Sequence, residues 1–217
     1  MKYTESQISK ISKDLQNKIK GKVLSDPFSR GRYSTDSSLY QITPLGAVLP
    51  KDQNDVLNLM EYSQKNAIPL LARGGGSSQC GQTVSEAIVL DYSKHQNKVL
   101  ELNVEEKYVS VRPGVVLDSL NKFLQPYGLW FPVDVSTSSR ATIGGMTGNN
   151  SCGSRSLYYG NMVNNVLAVE AILDDGSIHT FEDINKNYLQ ETNDQNRQYK
   201  IIQNFLQIKE ETKNDID

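Results

Sequence analysis

Cysteine, histidine and tryptophan are scarce in this 217-residue chain, which has two, two and one of them. Cys80 and Cys152 lie in separate Gly-rich segments without Cys-x-x-Cys spacing. They encode no disulfide framework and no zinc or iron–sulfur site, and both are expected to be small buried residues at close-packed turns. The only histidines, His95 and His179, are expected to be exposed or structural, which leaves no histidine cluster for a metal and no general base with a histidine partner. Long apolar runs are also missing: none approaches the ~20 residues of a membrane span. The opening Met1-Lys2-Tyr3-Thr4-Glu5-Ser6-Gln7 lacks the apolar core of a signal peptide, so a cytoplasmic protein is expected. Nor is there an excess of either charge. A net charge of −2 with scattered basic residues gives no electrostatic footprint for nucleic acid.

What is present is enough apolar residue, 37%, to build one large domain or two small lobes. Ile8, Ile11, Leu15 and Ile19 recur at three- and four-residue spacing and predict an amphipathic helix within 4–20. After the polar segment Ser29–Gln41, Gly46–Leu49 reads as a strand cut off by Pro50. Asp52 caps a helix carrying Val56, Leu57, Leu59 and Met60, and the strand Pro69–Ala72 completes a strand–helix–strand unit. Ala87–Leu90 is a further strand, and Val99–Leu102 with Tyr108–Val111 forms a hairpin around Glu105-Glu106-Lys107. Leu117, Leu120, Phe123 and Leu124 keep helical spacing. Pro132–Gly160 reads as one long loop, functional or disordered at that length, and its small residues suit a wall against which something packs. Val166–Leu173 and Ser177–Phe181 form a hairpin on an Asp-Gly turn, and Ile201, Ile202, Phe205 and Leu206 give a last helical face.

The strand ending at Ala72 runs into Arg73-Gly74-Gly75-Gly76-Ser77-Ser78. Consecutive glycines let backbone N–H groups converge into an anion nest that fits a diphosphate; the alternative reading is a flexible turn.

Farther along, Pro113-Gly114-Val115, Thr142-Ile143-Gly144-Gly145-Met146, Asn150-Ser151-Cys152-Gly153, Tyr159-Gly160 and Leu173-Asp174-Asp175-Gly176 follow in order between successive strands. Together with the glycine loop they resemble the FAD-binding domain of the FAD-linked oxidase family, the vanillyl-alcohol oxidase or p-cresol methylhydroxylase type. Phe28-Ser29-Arg30-Gly31-Arg32-Tyr33-Ser34-Thr35-Asp36-Ser37-Ser38-Leu39-Tyr40 and Val135–Thr142 are similar to the D-2-hydroxyacid dehydrogenases in it, of the kind fused to an iron–sulfur module. The resemblance covers about residues 28–181. It implies an α+β, two-lobed FAD-binding domain without its cap: an N-terminal helical extension at 1–27, a small lobe at about 28–92, a larger one at about 93–182, and a polar helical tail at 183–217.

The same resemblance implies where noncovalent FAD would lie. Arg73, Gly74, Gly75, Gly76, Ser77 and Ser78 would take the pyrophosphate, with Gln82 closing the loop. Gly114, Ser136, Thr137, Ala141, Thr142, Gly144, Gly145, Asn150, Ser151 and Gly153 would line the trough for the ribityl chain and ring, completed by Tyr159 and Gly160, and Ile178 would contribute main chain. Members with covalent flavin often carry histidine at the glycine loop, where this chain has Ser77-Ser78. Arg140 and Arg155 are candidates for a substrate carboxylate, or are surface and ion-pair arginines; Asp134 and Glu170 suit a loop cap and a strand charge better than a base. The implied reaction is oxidation of a D-2-hydroxy acid (lactate, glycolate or 2-hydroxyglutarate type) by hydride transfer to flavin. The expected partners are FAD, this substrate and a missing cap or iron–sulfur segment or subunit, with no nucleic acid and no membrane span. The alternatives are a catalytically incomplete flavin-binding module that needs a partner chain, and a cell-wall reductase of the same fold.

Overall fold

Thr4 starts the first helix by a capping box: its hydroxyl accepts from Gln7 N, and the Gln7 side chain accepts from Thr4 N at 2.8 Å. The computed structural model describes residues 3–184, 188–191 and 196–213. In chain order the elements are α1 (Glu5–Gln16), β1 (Lys22–Leu24), α2 (Pro27–Arg32), β2 (Gly46–Leu49), α3 (Gln53–Asn66), β3 (Leu70–Arg73), β4 (Ile88–Asp91), β5 (Val99–Asn103) and β6 (Tyr108–Val111). They continue with α4 (Leu117–Leu124), α5 (Ile143–Gly148), α6 (Ser156–Tyr159), α7 (Met162–Asn165), β7 (Ala168–Ile172), β8 (Ile178–Glu182), α8 (Tyr188–Glu191) and α9 (Arg197–Glu211). The mixture is α+β. Among the described residues no helix is long and apolar enough to cross a membrane.

The chain forms two compact units, Met1–Val166 and Leu167–Asp217. In the first, a four-stranded sheet has the order β1-β2-β4-β3, with β1 antiparallel to β2 and the other neighbours parallel. The strand–helix–strand unit is therefore split, because β4 lies between β2 and β3. Ala47, Val48 and Val89 are completely buried, as expected of strands covered on both faces. The N-terminal segment is part of this sheet's structure: β1 supplies its edge, and α1 buries Ile8 and Leu15. Asp52 caps α3 through Asp55 N. Asp55, 1% exposed, accepts the backbone N–H groups of Lys20 (2.7 Å), Gly21 (2.8 Å) and Lys51 (2.8 Å), tying the entry of β1 to the start of α3.

The antiparallel β5–β6 hairpin packs its Val99, Leu102, Val109 and Val111 against Leu120 and Leu124 of α4. Pro132–Gly160 is not one loop. It contains α5 and α6, and Val133, Ala141, Met146 and Met162 bury together with Leu117. Cys80 and Cys152 are both exposed, which corrects the expectation that they are buried: their Gly- and Ser-rich segments run along the surface. In the second unit β7 and β8 form an antiparallel hairpin, and Arg197 of α9 pairs with Asp174 at its turn at 3.1 Å.

Candidate functional site

β3 and β4 run parallel with Arg73 opposite Asp91, so the Gly-rich loop leaves the carboxyl end of the sheet, where ligands of open parallel sheets gather. The loop is wedged against the segment 140–142: a Cβ on Gly74 would lie 2.0 Å from Thr142 Oγ1, and one on Gly75 would lie 2.2 Å from Arg140 O. The Cβ sides thus face protein. Among the described residues, the backbone N–H groups of Gly74, Gly75, Gly76 and Ser77 donate to no acceptor. Four unspent amide donors on one short loop are what a diphosphate requires, and the cradle fits FAD at that end of the cofactor.

Ser78 Oγ donates to Gln82 Oε1, and Gln82 Nε2 donates to Asn149 Oδ1 at 3.2 Å. Gln82 therefore joins the loop to the end of α5. Arg73 is half-buried, and burial pushes its guanidinium below the ordinary arginine value. It donates only to protein carbonyls among the described residues.

The second wall is built by backbone pairing. Leu117 N donates to Ala141 O (3.0 Å), Ile143 N to Val115 O (2.8 Å) and Gly144 N to Pro113 O (2.9 Å). This pairing sets 113–117 beside 141–144, so Gly114, Ala141, Thr142 and Gly144 come together next to Gly74. Gly114, Ala141 and Thr142 are buried there, and Gly145 and Asn150 are exposed. Thr142 also caps α5 through Gly145 N. Thr137 O accepts from both Arg140 N and Ala141 N at 2.8 Å, closing the turn that carries the exposed Ser136.

Asp134 organises the far end. Its carboxylate accepts from Ser154 Oγ (2.7 Å) and Arg155 N (3.0 Å), and these bonds hold it below the usual carboxylate range. Asp134 is thus a loop clasp that fixes Ser154 and Arg155. Ser151 O accepts from Met162 N, and Asn150 Oδ1 accepts from Val163 N. The Arg155 guanidinium lies 5.0 Å from the Trp130 ring centre, and Tyr159 meets Trp130 edge-on at 5.2 Å, with Gly160 following at φ +77°. Arg140 and Arg155 are exposed, and neither makes an ion pair among the described residues. Ile178 lies in the second unit, opposite Ile172 in the β7–β8 hairpin. His179, in the same hairpin, bonds Ser177 Oγ at 3.1 Å. The aromatic–cation stack on Trp130 escaped sequence reasoning; Trp130 lies outside every glycine motif, and only its being the sole tryptophan singles it out.

Comparison with known proteins agrees with this geometry. The FAD binding domain family matches residues 44–182. D-2-hydroxyglutarate dehydrogenase of Haemophilus influenzae is 41% identical over 172 residues, covering 76% of this chain and 16% of the relative. Glycolate oxidase subunit GlcD of Bacillus subtilis is 30% identical, covering 77% and 37%. Among solved structures, alkyldihydroxyacetonephosphate synthase superposes with a TM-score of 0.70 at 21% identity, covering 81% of this chain and 38% of that one. The chain thus spans about a sixth of the dehydrogenase's length. A family match over more than half of the chain and the superposed fold lead to one conclusion: this chain belongs to the FAD binding domain family of FAD-linked oxidases.

Proposed function

We propose that this chain is the flavin-holding part of a cytoplasmic FAD-dependent dehydrogenase acting on a D-2-hydroxy acid of the 2-hydroxyglutarate, lactate or glycolate type. The observation that carries the reading is the loop Gly74–Ser77, whose four amide donors are unspent at the carboxyl end of the sheet. The D-2-hydroxyglutarate dehydrogenase relative at 41% identity supports the substrate class. In this reading residues 28–182 are the flavin domain, with lobes at about 28–92 and 93–182, preceded by the extension 1–27 and followed by a tail toward a cap domain. FAD is held noncovalently, its diphosphate on Gly74–Ser78 and its ribityl chain and ring along Gly114, Ser136, Thr137, Ala141, Thr142, Gly144, Gly145, Asn150, Ser151, Gly153, Tyr159 and Gly160. Bound flavin would supply the acceptor for the hydride, which carries both electrons of the oxidation. Arg140 and Arg155 offer the substrate carboxylate a planar fork of donors.

A second reading is a flavin-binding module whose acid–base groups come from another polypeptide, carrying a cap or an iron–sulfur segment. It is favoured by one observation: among the described residues, no group of three or more His, Cys, Asp or Glu side chains is placed to hold a metal ion. The test is titration of the purified chain with FAD, followed by fluorescence quenching and the visible spectrum. Saturable binding is expected, and Ser77→Asp, which adds a carboxylate beside the free amides, should weaken it at least ~10-fold. A folded chain that ignores FAD would refute both readings. Turnover of a D-2-hydroxy acid by the loaded chain alone would refute the second.

A further inference from the structure

The segment Tyr33–Tyr40, singled out only as similar to one branch of the family, wraps the base of the glycine loop. Arg73 leaves β3 and directs its guanidinium to backbone carbonyls. Nη1 donates to Thr83 O (3.0 Å) and Tyr33 O (3.4 Å), Nη2 donates to Thr35 O (2.8 Å), and the group lies 5.5 Å from the Tyr33 ring centre. Tyr33 is anchored in turn by its hydroxyl on Asp91 at 2.7 Å. Gly76, at φ +64°, makes room for this arrangement, since a Cβ there would lie 2.4 Å from Arg73 Nη2. On the far side of the loop Asp36 accepts from Thr83 Oγ1 (3.0 Å) and Ser38 N (2.8 Å). The Tyr40 ring packs on Gly81, where a Cβ would lie 2.6 Å from Tyr40 Cδ2. Both ends of the loop, at Arg73 and at 81–83, are thus tied to one upstream segment.

We propose that residues 33–40 are a clasp for the diphosphate loop, with Arg73, Asp36 and Thr83 as positioning residues and Arg73 not the phosphate's cation. The proposal rests on the reading that Gly74–Ser77 binds the FAD diphosphate. Four amides converge on an anion only if the loop ends are fixed beforehand; otherwise binding must order the loop and loses affinity. A planar guanidinium reaches three carbonyls from two segments, and an ammonium cannot reproduce that fork.

The test uses the full chain and two readouts: subtilisin cleavage within 74–83 without FAD, mapped by mass spectrometry, and the Kd for FAD by fluorescence titration. Thr83→Val and Asp36→Ala each remove one partner of the Asp36–Thr83 bond, and Asp36→Ala also removes the acceptor of Ser38 N. Each should speed cleavage within 74–83 without opening 88–91, and each should raise the Kd about 10-fold. The double variant should bind no worse than Asp36→Ala alone, because that change already breaks the bond that Thr83→Val removes. Arg73→Lys, which keeps the charge, should lose at least as much affinity. Wild-type affinity in Arg73→Lys, or unchanged cleavage within 74–83 in both Thr83→Val and Asp36→Ala, would overturn the clasp. Failure of the wild-type chain to bind FAD would instead overturn the cofactor reading, and the cleavage data would still decide whether the clasp exists.

Discussion

Asp55 shows how much one side chain can organise. It is buried with three backbone N–H donors on its carboxylate, so Asp55→Ala leaves those donors without partners. A loss on the order of 3 kcal/mol is expected, read as a lower urea midpoint at unchanged m. Tyr33 carries a pH dependence. Burial, and then its bond to the Asp91 carboxylate, raise its hydroxyl above the ordinary tyrosine value of 10.0. A group whose folded pKa is raised contributes stability fully present below its unfolded value and lost as pH rises through the folded one. The chain should therefore lose stability above about pH 10, where an unfolded tyrosine begins to ionise. Tyr33→Phe should reduce that loss in alkaline melting curves, leaving the contributions of Tyr62 and Tyr92, raised first by burial, and of Tyr108, raised by its bond to Glu101. At this scale a local pattern and its long-range cause differ. The run of glycines at 74–76 suggests a nest from the sequence alone, yet the missing Cβ atoms of Gly74 and Gly75 make room for Thr142 and Arg140 O, distant contacts that no local pattern encodes.

Elements whose signal is local were legible, and those defined by distant partners were not. Helices α1, α3 and α4 follow from three- and four-residue spacing, with side-chain caps on the first two. Within α1, Leu15→Ala is expected to cost about 2–5 kcal/mol in chemical denaturation, because the residue is 1% exposed and its cavity lies under a helix the sheet edge needs. The β7–β8 hairpin follows from its Asp-Gly turn, where Gly176 adopts φ +81°. Helices α5, α6 and α7 were invisible: four to six residues give no period, and α5 and α7 start on the caps Thr142 and Asn161. The place of β4 was hidden for a different reason, since hydrophobic pattern identifies a strand but not its neighbours.

For the whole molecule, the division after Val166 makes a prediction about independence. Every cofactor residue that the resemblance implies, except Ile178, lies in the first unit, and the core of Leu117, Val133, Ala141, Met146 and Met162 is built from residues of that unit. A chain ending at Val166 should keep a single cooperative urea transition by circular dichroism; a broad, non-cooperative one would show that the second unit is needed for folding. The sheet order also bears on how the protein is made. β3 and the glycine loop leave the ribosome before β4, yet β3 pairs only with β4. Until the chain has been synthesised through Asp91 the loop has no strand to hold it, and Tyr33 has no carboxylate for its hydroxyl. The nascent protein therefore acquires its nucleotide cradle late, after the glycines themselves have been made, and a chain released before residue 88 would carry the motif without the site.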